Sequence, residues 1–348
     1  MLPLTLLNEL PTGFLEISAA DLWRIVPGPT LVHLPGRRPE PLFVSILLHG
    51  NEDVGLLAVQ NLLKQLARRP LPRALSIFLG NIDAARAGVR RLPGQPDYNR
   101  VWPGSDDDGT SEHALMRAVT AEMQARRPFA SVDLHNNTGR NPFYACVNRL
   151  DWPVLHLAAL FSRTVVYFLR PHGVQSQAFG PWCPAVTCEC GKVGDPAGVA
   201  HTTEFLDSCL HLAEIPSHPI APGDIHVFHT VATVKIPPDV TFGFETSETD
   251  LTFSAGLEAL NFQELPAGTR LAGRRPDSTA RLDVRDETNQ DVTAQFLEYA
   301  ETEIRLRRGV MPSMLTCNEP VIRQDCLGYF MERFPLPAGL GASPASPE

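Results

Sequence analysis

Between residues 41 and 212 short apolar runs alternate with amphipathic segments, and no other feature restricts the fold as strongly. "PLFVSILLH" (41–49), "ALSIFLG" (74–80) and "FASVDLH" (129–135) read as buried strands, with "TVVYFL" (164–169) and "AVTCEC" (185–190) as two further candidates. Residues 54–69 repeat apolar side chains at helical spacing, from Leu56 and Val59 to Leu63 and Leu66, before a basic end. Residues 110–127 give another helix with Thr110 or Ser111 as its cap, and helices are expected at 153–162 and 198–212. Apolar strands separated by helices predict an α/β fold, with a mostly parallel or mixed central sheet covered by helices on both faces.

At 348 residues the chain exceeds the size at which a single core usually keeps growing, so two domains are expected. Near residue 215 the pattern changes: "IPSHPIAPGD" is proline-rich, and "IHVFHTVATVKI" and "DVTFGF" follow with little helical periodicity. We read a catalytic domain over 1–214, a smaller β-rich domain over 215–335 and a flexible tail over 336–348. The net charge of −9 is spread without a block, and Lys is scarce beside Arg, which argues against nucleic acid as a partner. No apolar run approaches the ~20 residues that span a bilayer. The first residues lack a basic start and meet Asn8 and Glu9 early, unlike a signal peptide, so the cytoplasm is expected and no membrane. Seven cysteines, an odd number, argue against a disulfide framework.

In open α/β sheets ligands bind beyond the carboxyl ends of the strands, where this sequence carries its unusual side chains. His49 and Glu52 follow the first strand, His135 closes "SVDLH", and Glu189 lies in "AVTCECG". Two histidines and one carboxylate form a ligand set for catalytic zinc, which keeps a position open for water and lowers its pKa to ~7. Gly50 would permit the turn that aims His49 and Glu52 at one ion. Glu189 is then the carboxylate that shuttles the proton, and Asp133, two before His135 on the same strand face, would orient a ligand. Taken singly, each piece has a plainer reading: a histidine closing a strand is often capped or solvated, and Glu189 alone could be a paired structural acid. The four together, in these strand contexts, point to metal.

Other features add less. His226 and His229 in "HVFH" stand three apart on a strand, which sends their rings to opposite faces. No G-x-S-x-G elbow, P-loop or dinucleotide glycine fingerprint occurs. Cys188 or Cys190 could serve a thiol hydrolase, although an apolar strand suits inert, buried thiols better. A zinc-binding scaffold without activity is a further alternative, and it gives Glu189 no role.

"HGNE", "DYNR", "DLHN" and "CECGK", in this order, resemble the succinylglutamate desuccinylase and aspartoacylase family, a branch of the zinc carboxypeptidase superfamily, over about residues 40–212. The resemblance implies a zinc carboxypeptidase-like fold and one zinc ion per chain, held by His49, Glu52 and His135. It implies Glu189 as general base and then acid, and Arg90 as the group that polarises the scissile carbonyl, with adjoining Arg91 as the one-residue alternative. Asn99 and Arg100 match the pair that holds the substrate's α-carboxylate, and Tyr329 in "GYFMER" matches a pocket tyrosine, with core packing as the competing reading. The chemistry is consistent, since guanidinium donors suit both a carboxylate and a developing oxyanion. Without the resemblance, Arg86, Arg90 and Arg91 would read as a solvated loop surface.

One departure bears on the substrate. Aspartoacylases carry an arginine about ten residues before the catalytic glutamate, to bind the carboxylate of an acidic acyl group; Ala178–Thr187 has none. Phe179, Trp182 and Cys183 suggest a less polar acyl pocket, with Arg163 or Arg170 as substitutes for the missing charge. The expected activity is hydrolysis of an N-acyl amino acid or related small amide by metal-activated water, with a zinc carboxypeptidase acting on short peptides as the alternative. The expected partner is a small molecule, and assembly with like chains stays open.

Overall fold

The computed structural model describes residues 2–66, 69–221, 223–246, 248–336 and 340. Contacts divide the chain into two units, one of residues up to Asn136 with Phe143–Val227, the other of Asn137–Pro142 with Phe228–Phe334. The proline-rich segment after residue 214 therefore groups with the first unit, and a short loop after the third expected strand groups with the second. Most of the expected tail lies outside the described residues.

Among the described residues the first unit holds β1 (Thr5–Leu7), β2 (Thr30–Leu34), β3 (Gly36–Ile46), β4 (Leu71–Leu79), β5 (Ala130–Asn137), β6 (Tyr144–Val147), β7 (Thr164–Tyr167) and β8 (Ala185–Lys192). Their order across the sheet is β1-β2-β4-β3-β5-β8-β6-β7. β3 runs parallel to β4 and to β5, with Ser45 opposite Phe78 and Asp133. The sheet is mixed, because β2 is antiparallel to β4 and β6 is antiparallel to β8. Sequence reading misses β1, β2 and β6: two are only three or four residues long, and "TLVHL" shows no repeat that separates it from a loop.

The helices are α1 (Val54–Leu66), α2 (Ile82–Ala87), α3 (Ser111–Arg126), α4 (Trp152–Phe161), α5 (Gln175–Phe179) and α6 (Pro196–His211). Local chemistry starts them. Thr110 caps α3 in a box with His113, Asp151 caps α4, and Asp195 caps α6 with Pro196 in its first turn. Two faces are covered. α1 packs so closely over Ile46 and Leu134 that a Cβ on Gly55 would lie 2.6 Å from the Ile46 side chain. On the opposite face Phe43 and Phe78 share a core with Leu115, Met116 and Val119 of α3, with Trp102, and with Phe179 of α5. Burial on both sides is why β3 and β4 read as continuous apolar runs.

The first strand ends earlier than its sequence suggests. β3 stops at Ile46, and the chain turns at Leu47, whose φ of 56° is a left-handed conformation that costs a non-glycine residue energy. The Leu47 carbonyl accepts the Asn81 N–H at 2.7 Å, and the Gly50 N–H donates to the Arg90 carbonyl at 3.1 Å. Gly50 has a different purpose from the one its sequence position suggests: a Cβ there would stand 2.1 Å from the Ala84 backbone, so glycine admits α2 against the loop.

In the second unit, a five-stranded sheet runs in the order 242–244, 251–253, 270–274, 303–306 and 297–299, antiparallel after its first pair. Strand Gly328–Arg333 pairs antiparallel with Met311–Ser313 and with residues 228–234. Val234, Leu251, Phe253, Ile304 and Phe330 belong to one shared core. The predominance of strands matches the change in pattern seen in the sequence.

Candidate metal centre

The turn after β3 carries His49 and Glu52, and β5 carries His135; all three side chains are buried. The Nδ1 atoms of the two histidines stand 3.2 Å apart, and each lies 2.8 Å from one oxygen of Glu52. Among the described residues these three form a group able to hold a metal, with all ligand atoms within 4.8 Å of one another. Ligands bound at ~2.0–2.1 Å in a tetrahedral set stand roughly 3.3 Å from each other, close to the spacing of these donors. Two imidazoles and a carboxylate suit a borderline divalent ion such as zinc, so the residues fit the expected metal.

The outer side of each ring supports that assignment. His49 Nε2 lies 3.0 Å from Asp97 Oδ1, and His135 Nε2 lies 2.8 Å from Asp133 Oδ2. A carboxylate on the far nitrogen favours a proton there, which leaves the Nδ1 lone pair for an ion and fixes the ring. Asp133 is itself held, since Ser45 Oγ donates to it at 2.5 Å. Asp97 accepts the Asn99 N–H at 2.8 Å and receives Arg90 Nη2 at 2.8 Å and Nε at 3.2 Å.

Charge follows geometry. Burial raises the proton affinity of Glu52, but His49 and His135 outweigh it and hold the carboxyl below the usual carboxylate range. Burial likewise opposes ionisation of Asp97, and Arg90 with His49 reverses that effect, so it too stays charged. Both imidazoles are pushed down by burial yet end above the ordinary histidine value, His49 through Glu52 and Asp97 and His135 through Asp133 and Glu52. The same carboxylates that raise the proton affinity of the two imidazoles would favour a cation held between them.

The remaining expected residues divide. Arg90 borders the centre, with Nη1 3.7 Å from Glu52 Oε1, whereas Arg91 donates to the Gln95 carbonyl at 2.8 Å, so Arg90 rather than Arg91 takes the position beside the ligands. Asn99 is buried; its Nδ2 lies 3.1 Å from His135 Nε2, and its Oδ1 accepts the Gln175 N–H at 3.2 Å. Arg100 bonds the Asn99 carbonyl at 2.7 Å. Glu189 is buried on β8, opposite Tyr144 and one strand from His135, outside the group of three ligands. Tyr329 lies in the second unit, in register with Ser313 and Thr233.

The apolar-pocket expectation needs correction. Phe179 is fully buried and stacks on Phe43 at a centroid distance of 4.7 Å, which makes it core. The Ser131 N–H donates to the Pro184 carbonyl, tying the Trp182–Cys183 segment to the start of β5. At ~3.3 Å per residue that level is about 15 Å along the strand from Glu189. Arg170 pairs with Asp106 at 3.0 Å, and Arg163 bonds the Gly223 carbonyl. Burial pushes the Cys188 and Cys190 thiols up, which opposes the thiolate a cysteine hydrolase needs.

Two participants escape sequence reading. Asp97 stands in "DYNR" but has no role until the fold sets it against His49. Gln175 touches Asn99 through its backbone, a contact with no sequence signal.

Fold and site together define an α/β protein with a buried centre of two histidines and one carboxylate at the sheet's carboxyl edge. Residues 42–212 match the family model described as the succinylglutamate desuccinylase/aspartoacylase catalytic domain. A succinylglutamate desuccinylase of Burkholderia orbicola is 26% identical over 266 residues, which cover 66% of this chain and 70% of the relative. Among solved structures, the succinylglutamate desuccinylase of Chromobacterium violaceum superposes with a TM-score of 0.56 at 18% identity, covering 87% of each chain. Murine aminoacylase 3 does so with a TM-score of 0.55 at 14% identity, covering 86% of this chain and 96% of its own. These structures share the fold. The match to this family model and to this relative supports an enzyme of the deacylase kind with a small-molecule substrate. Among the described residues no helix is long and apolar enough to cross a membrane.

Proposed function

We propose that this chain is a zinc-dependent amidohydrolase that removes the acyl group from an N-acyl amino acid or related small amide, in the cytoplasm. The observation that carries this reading is the convergence of His49 Nδ1, His135 Nδ1 and the Glu52 carboxylate, with Asp97 and Asp133 on the outer nitrogens. These three side chains would hold one zinc ion, which when bound supplies a Lewis acid and lowers the pKa of water. Glu189 takes a proton from the attacking water and returns it to the amine nitrogen as the C–N bond breaks. Arg90 offers its guanidinium to the carbonyl oxygen as negative charge develops there. Asn99 and Arg100 hold the α-carboxylate. Holding the substrate at both ends converts the attack into an effectively unimolecular step.

The test is a hydrolysis panel of acetyl, formyl, succinyl and longer acyl amino acids beside short peptides, before and after exhaustive chelation. Acyl amino acids should be cleaved, with activity lost to EDTA and restored by zinc. A clear preference for peptides, or turnover undiminished after chelation, refutes the proposal.

A further inference from the structure

Asn136 follows the ligand His135 near the end of β5 and is buried. Three of its polar groups each hold a different element. The backbone N–H donates to Glu52 Oε2 at 3.2 Å, the same oxygen that faces His135 Nδ1. The side-chain Oδ1 accepts the Val54 N–H at 3.1 Å, a donor that the first turn of α1 cannot satisfy within the helix. The side-chain Nδ2 donates to the Gly191 carbonyl at 2.9 Å, two residues beyond Glu189 on β8. A carboxamide offers an acceptor and a donor at once, which neither a carboxylate nor an aliphatic side chain does.

Gly191 is where the last of these bonds matters. Its φ of 84° lies outside the range of a strand, and a Cβ there would stand 2.7 Å from the Phe143 ring. The chain therefore leaves regular strand geometry directly after Glu189 and Cys190. A strand that is irregular at that point fixes its neighbouring side chains less firmly than a straight one. Asn136 supplies a hold there, from the strand that carries His135.

Resting on the proposed deacylase reading, we infer that Asn136 is a positioning residue, which fixes Glu189 relative to Glu52 and His135 by tying β8 to the ligand loop at Gly191. It acts through Glu189 and takes no part in bond breaking. Its contact with Glu52 is made by the backbone N–H, which every substitution except proline keeps. Metal holding and proton transfer should therefore separate when the side chain is changed.

The experiment measures kcat, KM and the urea midpoint of the metal-free protein for Asn136→Ala, for Asn136→Asp, and for Asn136→Ala combined with Glu189→Gln, with zinc affinity for Asn136→Ala. The substrate is the acyl amino acid that the native protein hydrolyses best. Asn136→Asp keeps the shape and the acceptor for Val54 and loses the donor to Gly191, so it would rescue a residue that merely caps α1. Both single variants should lower kcat at least about tenfold, because a displacement of ~1 Å costs up to ~100-fold, with KM within about threefold of native. Zinc affinity of Asn136→Ala should stay within about threefold of native, since the N–H that supports Glu52 remains. The urea midpoint should fall in both, as buried groups lose their partners. With Glu189→Gln already present, Asn136→Ala should lower turnover by less than about threefold more, because residues that act as a unit are not additive. Rescue by aspartate, a loss carried by KM or zinc affinity, an unchanged midpoint, or losses that multiply in the double variant overturn the inference and leave the deacylase reading intact. Absence of hydrolysis by the native protein overturns both.

Discussion

Replacing Asp97 by asparagine tests the organisation of the centre. The substitution keeps the shape and removes the charge. One carboxylate oxygen faces His49 Nε2 at 3.0 Å and the Asn99 N–H at 2.8 Å, while the other takes two Arg90 nitrogens at 2.8 and 3.2 Å. An amide can present its oxygen to only one of these sides, so its NH2 group must meet donors on the other. Losing the outer partner of a ligating histidine typically costs 10–100-fold in metal affinity, or ~1.4–2.8 kcal/mol. Breaking a buried pair from one side costs up to ~3–5 kcal/mol of stability, and here less, because Arg90 keeps Glu52 at 3.7 Å. Competition against a chromophoric chelator reads the zinc affinity, and the urea midpoint of metal-free protein reads the stability. A zinc affinity within twofold of the parent would refute the claim that Asp97 orients His49.

Two further outcomes are expected. Glu189→Gln should retain zinc and fold while turnover falls at least ~100-fold, as for loss of a positioned acid–base group; loss of zinc, or full turnover, would show that Glu189 has another role. His33 is buried against Ser76 at 2.8 Å, and burial, helped by Arg126, lowers its pKa to about 4. The unfolded chain then binds a proton below pH ~6.5 that the folded chain refuses until about 4. Stability should fall as pH drops through that window, by up to ~3 kcal/mol, and His33→Gln should flatten the slope; equal slopes by urea unfolding between pH 7 and 4 would contradict it.

Much of the site is legible in the order of residues alone. His49, Glu52, His135 and Glu189 stand at or near the ends of strands whose apolar character is unmistakable, and such ends are rigid places from which to aim a ligand. Short elements are not legible: β6 has four residues and α5 five, too few for a period to show. The pocket expectation for Phe179, Trp182 and Cys183 fails because residue spacing along a chain does not give depth along a strand. Phe179 enters the core through α5, whereas Trp182 and Cys183 precede β8 at the end away from Glu189.

Sequence alone determined the donor types, the alternation of strands and helices, and the change to β structure in the last third of the chain. Those properties rest on side-chain chemistry and on periods of two or 3.6 residues, which are local. Tertiary structure decided that Arg90 and not Arg91 borders the centre, that Asp97 backs His49, that the chain turns at Leu47, and that Asn136 joins Glu52 to the strand of Glu189. Each depends on the register of strands and the seating of loops remote in sequence. A slip of a single residue there would turn a side chain to the other face, and no local pattern records it.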